Sequence, residues 1–343
     1  MEEITLPNIL AMRELFEGFS RQLNQALVVA KDIKVSKPKA EIRNVLIAGL
    51  GGSGIGGTLA DAITYHDISA PISIAKAYDI PAYVNEHTLF VASSFSGNTE
   101  ETLDTVAKAL AKGAHVVAIT TGGKLKELAA AKGFDCVLFE GEAPCPRQHL
   151  PYSLTLLLLT LQAYGLTKDD YAAQVSNAAK IITDSQKEML AEAKKIAASM
   201  KDRLPVLYSD SKFGGMTVRF QQQINENSKQ LAHTNVFPEM NHNELVGWEK
   251  GEKILDNTMV LLFRSNLDHP RVAIRLDICE DIFKKKAAEV ITVAAKGNTL
   301  FEQSLYYISL TDWISFFLAE LNEVDPFPVD IITYLKGELA KVN

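Results

Sequence analysis

The feature that most constrains the fold is an alternation of short apolar segments with amphipathic helical segments, which occurs twice along the 343-residue chain. This alternation is typical of parallel sheets that are covered by helices on both faces. We therefore predict an α/β protein with one such domain in residues 1–155 and another in residues 201–343. Helical segments over residues 156–200 are predicted to connect the two domains.

Eight strands and several helices are predicted from the positions of the apolar residues. The strands are expected at 44–49, 72–75, 88–93, 115–120, 136–139, 205–209, 259–264 and 289–294. The main helices are expected at 7–33, 99–112, 150–164, 171–200, 215–228, 271–286, 300–321 and 329–341. A chain of this length can bury a sizeable core in each half without disulfides or a structural metal.

Charge and cysteine content exclude several classes of partner and site. The net charge of −7 disfavours non-specific binding to nucleic acid or to anionic membranes, although a small anionic ligand stays possible. The scattered Cys136, Cys145 and Cys279 predict reduced thiols in the cytoplasm rather than a disulfide framework or a zinc site. The N-terminus lacks the pattern of a signal peptide, and the apolar run Leu154–Leu161 is too short to span a membrane.

A glycine-rich turn, Gly49–Gly54, directly follows the first predicted strand and opens a helix. It matches the G-x-G-x-x-G pattern of dinucleotide-binding folds. Those folds also place an acidic residue at the end of the second strand, where this chain has Lys76 and reaches Asp79 only later. An NAD-dependent oxidoreductase therefore stays open as an alternative, and so does a tight turn that binds no ligand.

A second loop, Ser93–Glu101, follows the third predicted strand and opens another helix. Its four hydroxyl groups, its glycine and the helix N-terminus form a neutral site of the kind that binds anions. A plain helix start, with Asn98 as N-cap and Glu101 three residues later, is the alternative. Capping does not explain four hydroxyls with a glycine, so the loop predicts a phosphate site.

The segments GLGGSGIGG and SSFSGNTEETL resemble the loops of the sugar isomerase (SIS) domain, a phosphosugar-binding α/β fold. Two such halves in one chain resemble the bifunctional phosphoglucose/phosphomannose isomerases, which have two SIS domains. The resemblance covers nearly the whole chain. It implies two SIS-type domains, each a parallel sheet flanked by helices. It also implies that the substrate phosphate is held by five residues of the two loops: Gly52, Ser53, Ser94, Ser96 and Thr99.

Aldose–ketose isomerisation needs a base that moves a proton between C1 and C2 of a substrate held in place. Glu226 shares a predicted helix face with Arg219 and Gln222. By itself, this spacing is more typical of a solvated face than of a catalytic one. The sequence Asn-Glu-Asn around Glu226 resembles the family segment that carries the catalytic glutamate, which implies that Glu226 is the base.

The resemblance also implies a histidine that acts in ring opening. His242 lies in the polar, turn-rich segment FPEMNHNE, and a neutral imidazole can deliver or accept a proton near pH 7. This segment is similar to the histidine motif of the family. The similarity implies that His242 reaches the active site of a second copy across a homodimer interface.

Two further candidate catalytic residues also have ordinary structural explanations. Lys336 would ordinarily be an exposed lysine, but the segment from Asp325 to Lys336 resembles the family's C-terminal signature, which implies that Lys336 assists ring opening. Arg147 is explained equally well as a surface arginine of a Pro-rich loop. Its Pro-Arg element, which begins at Ala143, resembles that of the family, and the likeness implies that Arg147 stabilises the enediolate.

The resemblance thus implies a cofactor-free isomerase that interconverts glucose 6-phosphate and fructose 6-phosphate and also acts on mannose 6-phosphate. No metal is expected, because His233 and His242 form no compact ligand pattern. The expected partners are a phosphosugar and a second copy of the chain, without nucleic acid or membrane. The alternative is a non-catalytic or regulatory sugar-phosphate-binding SIS protein, which would need a DNA-binding or partner domain.

Overall fold

The computed structural model describes residues 8–141, 145–339 and 341. The chain divides into two compact units. Unit 1 runs up to Glu17 and continues over Ser185–Ala295 and from Tyr307 onward, and unit 2 contains Gly18–Asp184 and Lys296–Tyr306. The sequence-based domain limits at residues 155 and 200 stay a prediction.

The described residues form strands and helices that are numbered here along the chain. The strands are β1 (Asn44–Ala48), β2 (Ile72–Ala75), β3 (Thr88–Ser93), β4 (His115–Thr120), β5 (Asp135–Leu138), β6 (Leu204–Asp210), β7 (His233–Phe237), β8 (Thr258–Arg264) and β9 (Glu289–Ala294). The helices are α1 (Ile9–Glu17), α2 (Phe19–Ala30), α3 (Gly51–Thr64), α4 (Glu100–Ala111), α5 (Gly123–Lys132), α6 (Leu150–Ala163), α7 (Tyr171–Met200), α8 (Gly214–Asn227), α9 (Glu252–Leu255), α10 (Pro270–Phe283), α11 (Leu300–Leu321) and α12 (Asp330–Leu339).

Unit 2 contains a sheet with the strand order β2-β1-β3-β4-β5, and every pair in it is parallel. All six residues of β3 are buried, because helices cover both faces of a sheet of this kind. The chain leaves β1 to one side for β2 and then crosses to the other side for β3. The carboxyl ends of β1 and β3 therefore form a topological switch point, where ligands bind in open α/β sheets.

Unit 1 contains a second parallel sheet with the order β7-β6-β8-β9. Its core is rich in aromatic residues, including the buried Tyr208, Phe237 and Phe283. The strand order reverses here between β6 and β8, as it does between β1 and β3 in unit 2. The prediction of two parallel sheets flanked by helices is confirmed.

Two elements differ from the sequence-based prediction. The single helix expected over 7–33 is two helices, α1 and α2, which meet at Gly18, and residue 7 lies outside the described residues. Glycine is a weak helix former, so an interruption there costs little. Strand β7 was not predicted, because only the last two residues of its sequence HTNVF are apolar.

The helix lengths and the cysteine side chains bear on the expectations of a chain without membrane spans or disulfides. Over residues 8–141, 145–339 and 341, no helix is long and apolar enough to cross a membrane. None of the three cysteines, all of them described, forms a disulfide. Burial raises the pKa of Cys136 and of Cys279, so both thiols favour the protonated form.

Candidate functional site

The two loops singled out in the sequence lie at the switch point of the sheet in unit 2. The glycine-rich turn follows β1, and the serine-rich loop follows β3. The two strands are neighbours, with Ala48 opposite Ala92, so the loops leave the sheet side by side. We call this place, formed by residues 49–54 and 94–99, the first crevice.

Both helices that begin at the first crevice have N-termini without a side-chain cap. Helix α3 follows Leu50 and helix α4 follows Thr99, and neither residue makes a capping hydrogen bond. The alternative of an Asn98 N-cap is wrong, because Thr99 holds that position and the Asn98 amide donates to the Ser96 carbonyl. Uncapped N-termini present N–H groups and a positive dipole end, which suit an anion.

The hydroxyl groups of the first crevice connect the two loops. Ser53 Oγ accepts a hydrogen bond from the Phe95 N–H at 3.3 Å, which joins the glycine turn to the serine loop. Ser94 Oγ and Thr99 Oγ1 lie 2.9 Å apart. Ser96 Oγ accepts the Asn98 N–H at 3.2 Å. The structure therefore brings together the four hydroxyl residues predicted to hold phosphate.

Two glycines in these loops have no room for a side chain. A Cβ on Gly54 would lie 2.5 Å from the carbonyl oxygen of Gly49. Gly97 has a φ of +65°, and a Cβ there would lie 1.8 Å from the carbonyl oxygen of Gly122. The close backbone approach that shapes the first crevice therefore depends on glycine at both positions.

Arg147 lies beside the glycine turn and is buried, with 8% of its surface exposed. It belongs to a short 3-10 helix, Pro146–His149, whose backbone approaches Gly52 so closely that a Cβ there would lie 3.3 Å from Arg147 Cα. The alternative of a surface arginine is therefore wrong. Ala143 and Pro144, which precede it in the Pro-Arg element, lie outside the described residues.

One cation that the sequence analysis did not assign also lies beside the glycine turn. Lys76 follows β2 and donates from Nζ to Thr58 Oγ1 at 2.8 Å. Its Cε is 3.6 Å from the position that a Cβ on Gly54 would take. The side chain keeps an exposed part, yet desolvation lowers its pKa. Its place directly after the strand next to β1 was the available signal.

Glu226, the predicted base, lies near the end of α8 in unit 1 and is half-buried. Arg219 on the same helix is almost fully buried, and its Nη1 lies 3.0 Å from Asp312 Oδ1. Gln223 Nε2 donates to the same carboxylate at 2.9 Å. These contacts fix α8 against α11, so part of the predicted polar face is structural.

The residues that follow Glu226 are fixed on two sides. Ser228 Oγ donates to the Ser315 carbonyl at 2.7 Å, which attaches the end of α8 to α11. Lys229 Nζ donates to the carbonyl oxygens of Glu226 at 2.5 Å and Pro328 at 2.8 Å. The segment before α12 is thus held next to Glu226. Lys336, on α12 itself, is exposed.

His242 is exposed and follows the carboxyl end of β7. The neighbouring Asn241 is held by Arg275, whose Nη1 donates to Asn241 Oδ1 at 3.2 Å. Glu226, by contrast, precedes the amino end of β7. The two residues thus flank β7 in the sequence, with Glu226 before it and His242 after it.

Comparison with known sequences identifies similar proteins. The model of the bacterial phospho-glucose isomerase C-terminal SIS domain matches residues 190–339. The chain is 38% identical over 342 residues to a bifunctional phosphoglucose/phosphomannose isomerase of Caldicellulosiruptor bescii, with 97% of this chain and 100% of that protein covered. A protein of the same description from Aquifex aeolicus is 34% identical, with 96% and 98% covered.

Comparison with solved structures concerns the fold. The C-terminal domain of glucosamine-fructose-6-phosphate aminotransferase from Francisella tularensis superimposes with a TM-score of 0.75 at 14% identity, covering 92% of this chain and 98% of that chain. Tagatose-6-phosphate ketose/aldose isomerase from Escherichia coli gives a TM-score of 0.61 at 17% identity, covering 93% and 89%. Together with the family model, these similarities confirm the predicted SIS-type fold.

Proposed function

The chain belongs to the family of bifunctional phosphoglucose/phosphomannose isomerases, and we propose the activity and the residue roles that follow from this membership. It is an aldose–ketose isomerase that interconverts glucose 6-phosphate and fructose 6-phosphate and also acts on mannose 6-phosphate. The observation that carries this conclusion is 38% identity over 342 residues to a relative covered along its full length.

In this proposal, the first crevice binds the substrate phosphate. The two uncapped helix N-termini supply N–H groups and dipole ends, and the hydroxyls of Ser53, Ser94, Ser96 and Thr99 supply further donors. Gly52 lets the backbone approach the anion closely. Such a site holds a dianion without a cluster of basic residues, which accords with the chain's net charge of −7.

We assign the proton transfer to Glu226. Its carboxylate takes the C2 proton from the open-chain aldose, which gives an enediolate, and returns the proton to C1. The proton of the C2 hydroxyl passes to the C1 oxygen, which completes the ketose. The same steps in reverse convert ketose to aldose. The attachment of the end of α8 to α11 supports this role, because a base works best when its position is fixed.

Two cations have supporting roles in the proposal. Arg147 stabilises the negative charge of the enediolate, and its burial supports the role because a guanidinium acts more strongly on a charge away from water. Lys336 assists ring opening. The contacts of Lys229 with Glu226 and Pro328, which hold the start of the α12 region near Glu226, support that assignment.

We propose that His242 also acts in ring opening and reaches the active site of a second copy in a homodimer. The exposure of His242 supports a role on another surface. A dimer would supply both His242 and Glu226 to each site.

Two further expectations accompany the activity. We expect the reaction to need no cofactor or metal, because protein groups are assigned to ring opening, to the carbon proton transfer and to stabilisation of the enediolate. We also place the enzyme in the cytoplasm, which three cysteines without disulfides support. A non-catalytic, regulatory sugar-phosphate-binding protein is the alternative function.

A coupled assay with glucose 6-phosphate and with mannose 6-phosphate, each with and without EDTA, tests the proposal. We expect fructose 6-phosphate from both substrates, at rates that EDTA does not change. Binding of both sugars without turnover would support the regulatory alternative. Turnover of glucose 6-phosphate alone would remove the mannose activity, and inhibition by EDTA would contradict the metal-free reaction.

A further inference from the structure

The carboxylate of Glu244 is the centre of a hydrogen-bond network in unit 1. Tyr208 donates from Oη to Glu244 Oε1. Asn235 Nδ2 donates to Glu244 Oε2 at 2.5 Å, and His233 Nε2 lies 3.0 Å from the same oxygen. The Glu244 side chain, in the segment after β7, is thus hydrogen-bonded to residues of both β6 and β7. Neither Glu244 nor its hydrogen-bond partners have a role in the catalysis proposed above.

We propose that Glu244 is the positioning residue for His242, two residues earlier in the chain. The inference rests on the proposed role of His242 and adds to it a cause for the placement of that side chain. Glu244 fixes the segment 239–249 against side chains of β6 and β7, and His242 belongs to this fixed segment and is exposed.

The segment is attached at further points on both sides of His242. On the far side, Trp248 is buried and donates from Nε1 to Tyr208 Oη at 3.1 Å. On the near side, Asn241 Nδ2 donates to Cys279 Sγ at 3.2 Å. A histidine that must enter another copy's active site needs this preorganisation, because an ordered side chain loses less entropy when it engages.

The partners of Glu244 favour its ionised form, which makes it a stable anchor. Burial alone would raise the pKa of this carboxyl, but the hydrogen bonds from His233, Tyr208 and Asn235 outweigh burial and lower the pKa to about 2. Glu244 therefore accepts these bonds as a carboxylate at any pH at which the enzyme would be assayed. Charge-assisted bonds of this type are stronger than neutral ones.

A double-mutant cycle of His242→Ala and Glu244→Gln tests the inference through kcat for fructose 6-phosphate. We expect His242→Ala to lower kcat by about 10²- to 10⁴-fold. Glu244→Gln should lower it by up to about 100-fold through misplacement of His242. The double variant should match His242→Ala within about twofold, because Glu244 acts only through His242. Glu249→Gln changes an exposed glutamate of the 3-10 helix Glu244–Glu249; it is the matched control and should alter kcat little.

Each outcome decides the matter. Equal kcat for His242→Ala and the double variant supports the inference, whereas multiplied losses overturn it. A wild-type kcat for Glu244→Gln, with His242→Ala impaired, overturns the inference and leaves the proposed function intact. A wild-type kcat for His242→Ala overturns the inference and the role proposed for His242, whereas the turnover itself supports the proposed isomerase activity. If Glu244→Gln does not fold, Tyr208→Phe takes its place in the cycle. This variant keeps the ring and removes both the donor to Glu244 and the acceptor of Trp248, the two contacts by which Tyr208 holds the segment.

Discussion

The switch points of the two sheets have the same topology and opposite chemistry. The first crevice, in unit 2, presents hydroxyl groups and two helix N-termini without side-chain caps. The corresponding place in unit 1, which we call the second crevice, lies after β6 and β8 and is formed by residues 210–215 and 265–270. There Asp210 accepts the Lys212 N–H and caps the short 3-10 helix Ser211–Phe213 that leads into α8, and the His269 imidazole accepts the Arg271 N–H and caps α10.

The charged and polar groups of the second crevice interact with one another. Asp210 is 3% exposed, and its second oxygen accepts the His269 N–H at 3.2 Å. Lys212 Nζ lies 3.7 Å from Asp210 and donates to the Leu267 carbonyl at 2.5 Å. The N–H groups of Lys212 and His269 and the Lys212 ammonium are therefore engaged, and the buried carboxylate of Asp210 would repel an anion.

The topology of a sheet supplies a place for a ligand, and the side chains around that place determine what can bind there. A sheet that reverses its strand order opens a crevice at the carboxyl ends of the central strands. Uncapped N-termini and hydroxyls make that crevice suitable for phosphate, and an internal carboxylate removes the suitability. We therefore propose that the loops of unit 2, and not the second crevice, bind the phosphate.

The largest effect is expected from unit 1. Glu226→Gln removes the proposed base and keeps the size of the side chain. We expect kcat for fructose 6-phosphate to fall about 10²- to 10⁴-fold with KM nearly unchanged, because a positioned base acts on the transition state. Steady-state kinetics measure both, with the exposed Glu252→Gln as control. Near-normal turnover of Glu226→Gln would contradict the assignment of the base.

The loops of the first crevice should govern binding instead. The double substitution Ser94→Ala, Thr99→Val removes two hydroxyls that lie 2.9 Å apart. A hydrogen bond to a charged group contributes about 1.5–3 kcal/mol, so we expect KM to rise about tenfold or more. Ser211→Ala, in the second crevice, is the matched control and should leave KM unchanged. An equal rise in KM for both variants would contradict the proposal that the first crevice, and not the second, binds the substrate phosphate.

Asp210→Asn tests whether the second crevice is structural. The amide can accept one of the two backbone N–H bonds but turns an NH₂ towards the other, so we expect a loss of about 1–3 kcal/mol in unfolding free energy. Urea denaturation measures the loss, with the exposed Asp281→Asn as control. KM for fructose 6-phosphate should stay unchanged, and a large rise would show that this crevice takes part in binding.

The smallest effect concerns the pH dependence of the second crevice. Burial raises the pKa of Asp268 from 3.8 to about 6, so the folded state holds this proton more tightly than the unfolded chain does. Its contribution to stability is therefore present below about pH 4 and falls as the pH rises to about 6. Relative to wild type, Asp268→Asn should be more stable at pH 7 than at pH 4. Urea denaturation at both pH values measures this. The same difference in urea midpoint between variant and wild type at pH 4 and at pH 7 would contradict the raised pKa.

The parallel sheets could be predicted because strands buried on both faces are continuous apolar runs. The predicted limits of β2, β3, β4 and β9 agree with the observed ones. Strand β7 could not be found in this way, because its first three residues are polar and it lies at a sheet edge. Pairing with β6 defines it, and such pairing is not visible in one segment of sequence.

The candidate site was predictable where backbone chemistry determines the residue types. The glycines and hydroxyls of residues 49–54 and 94–99 indicated an anion site because few other uses explain them together. The burial of Arg147 was not visible, since it depends on the approach of its backbone to Gly52. The anchoring of Glu244 was also hidden, because its partners on β6 and β7 are distant in sequence.

The most direct test of the division between the crevices is an amide NMR titration of the uniformly ¹⁵N-labelled enzyme with inorganic phosphate. We expect chemical shift changes at residues 51–54 and 96–101, where uncapped N–H groups meet the anion. Residues 211–215 and 265–271 should not change. Shifts confined to those second-crevice residues, or equal shifts in both crevices, would contradict the assignment of phosphate to unit 2.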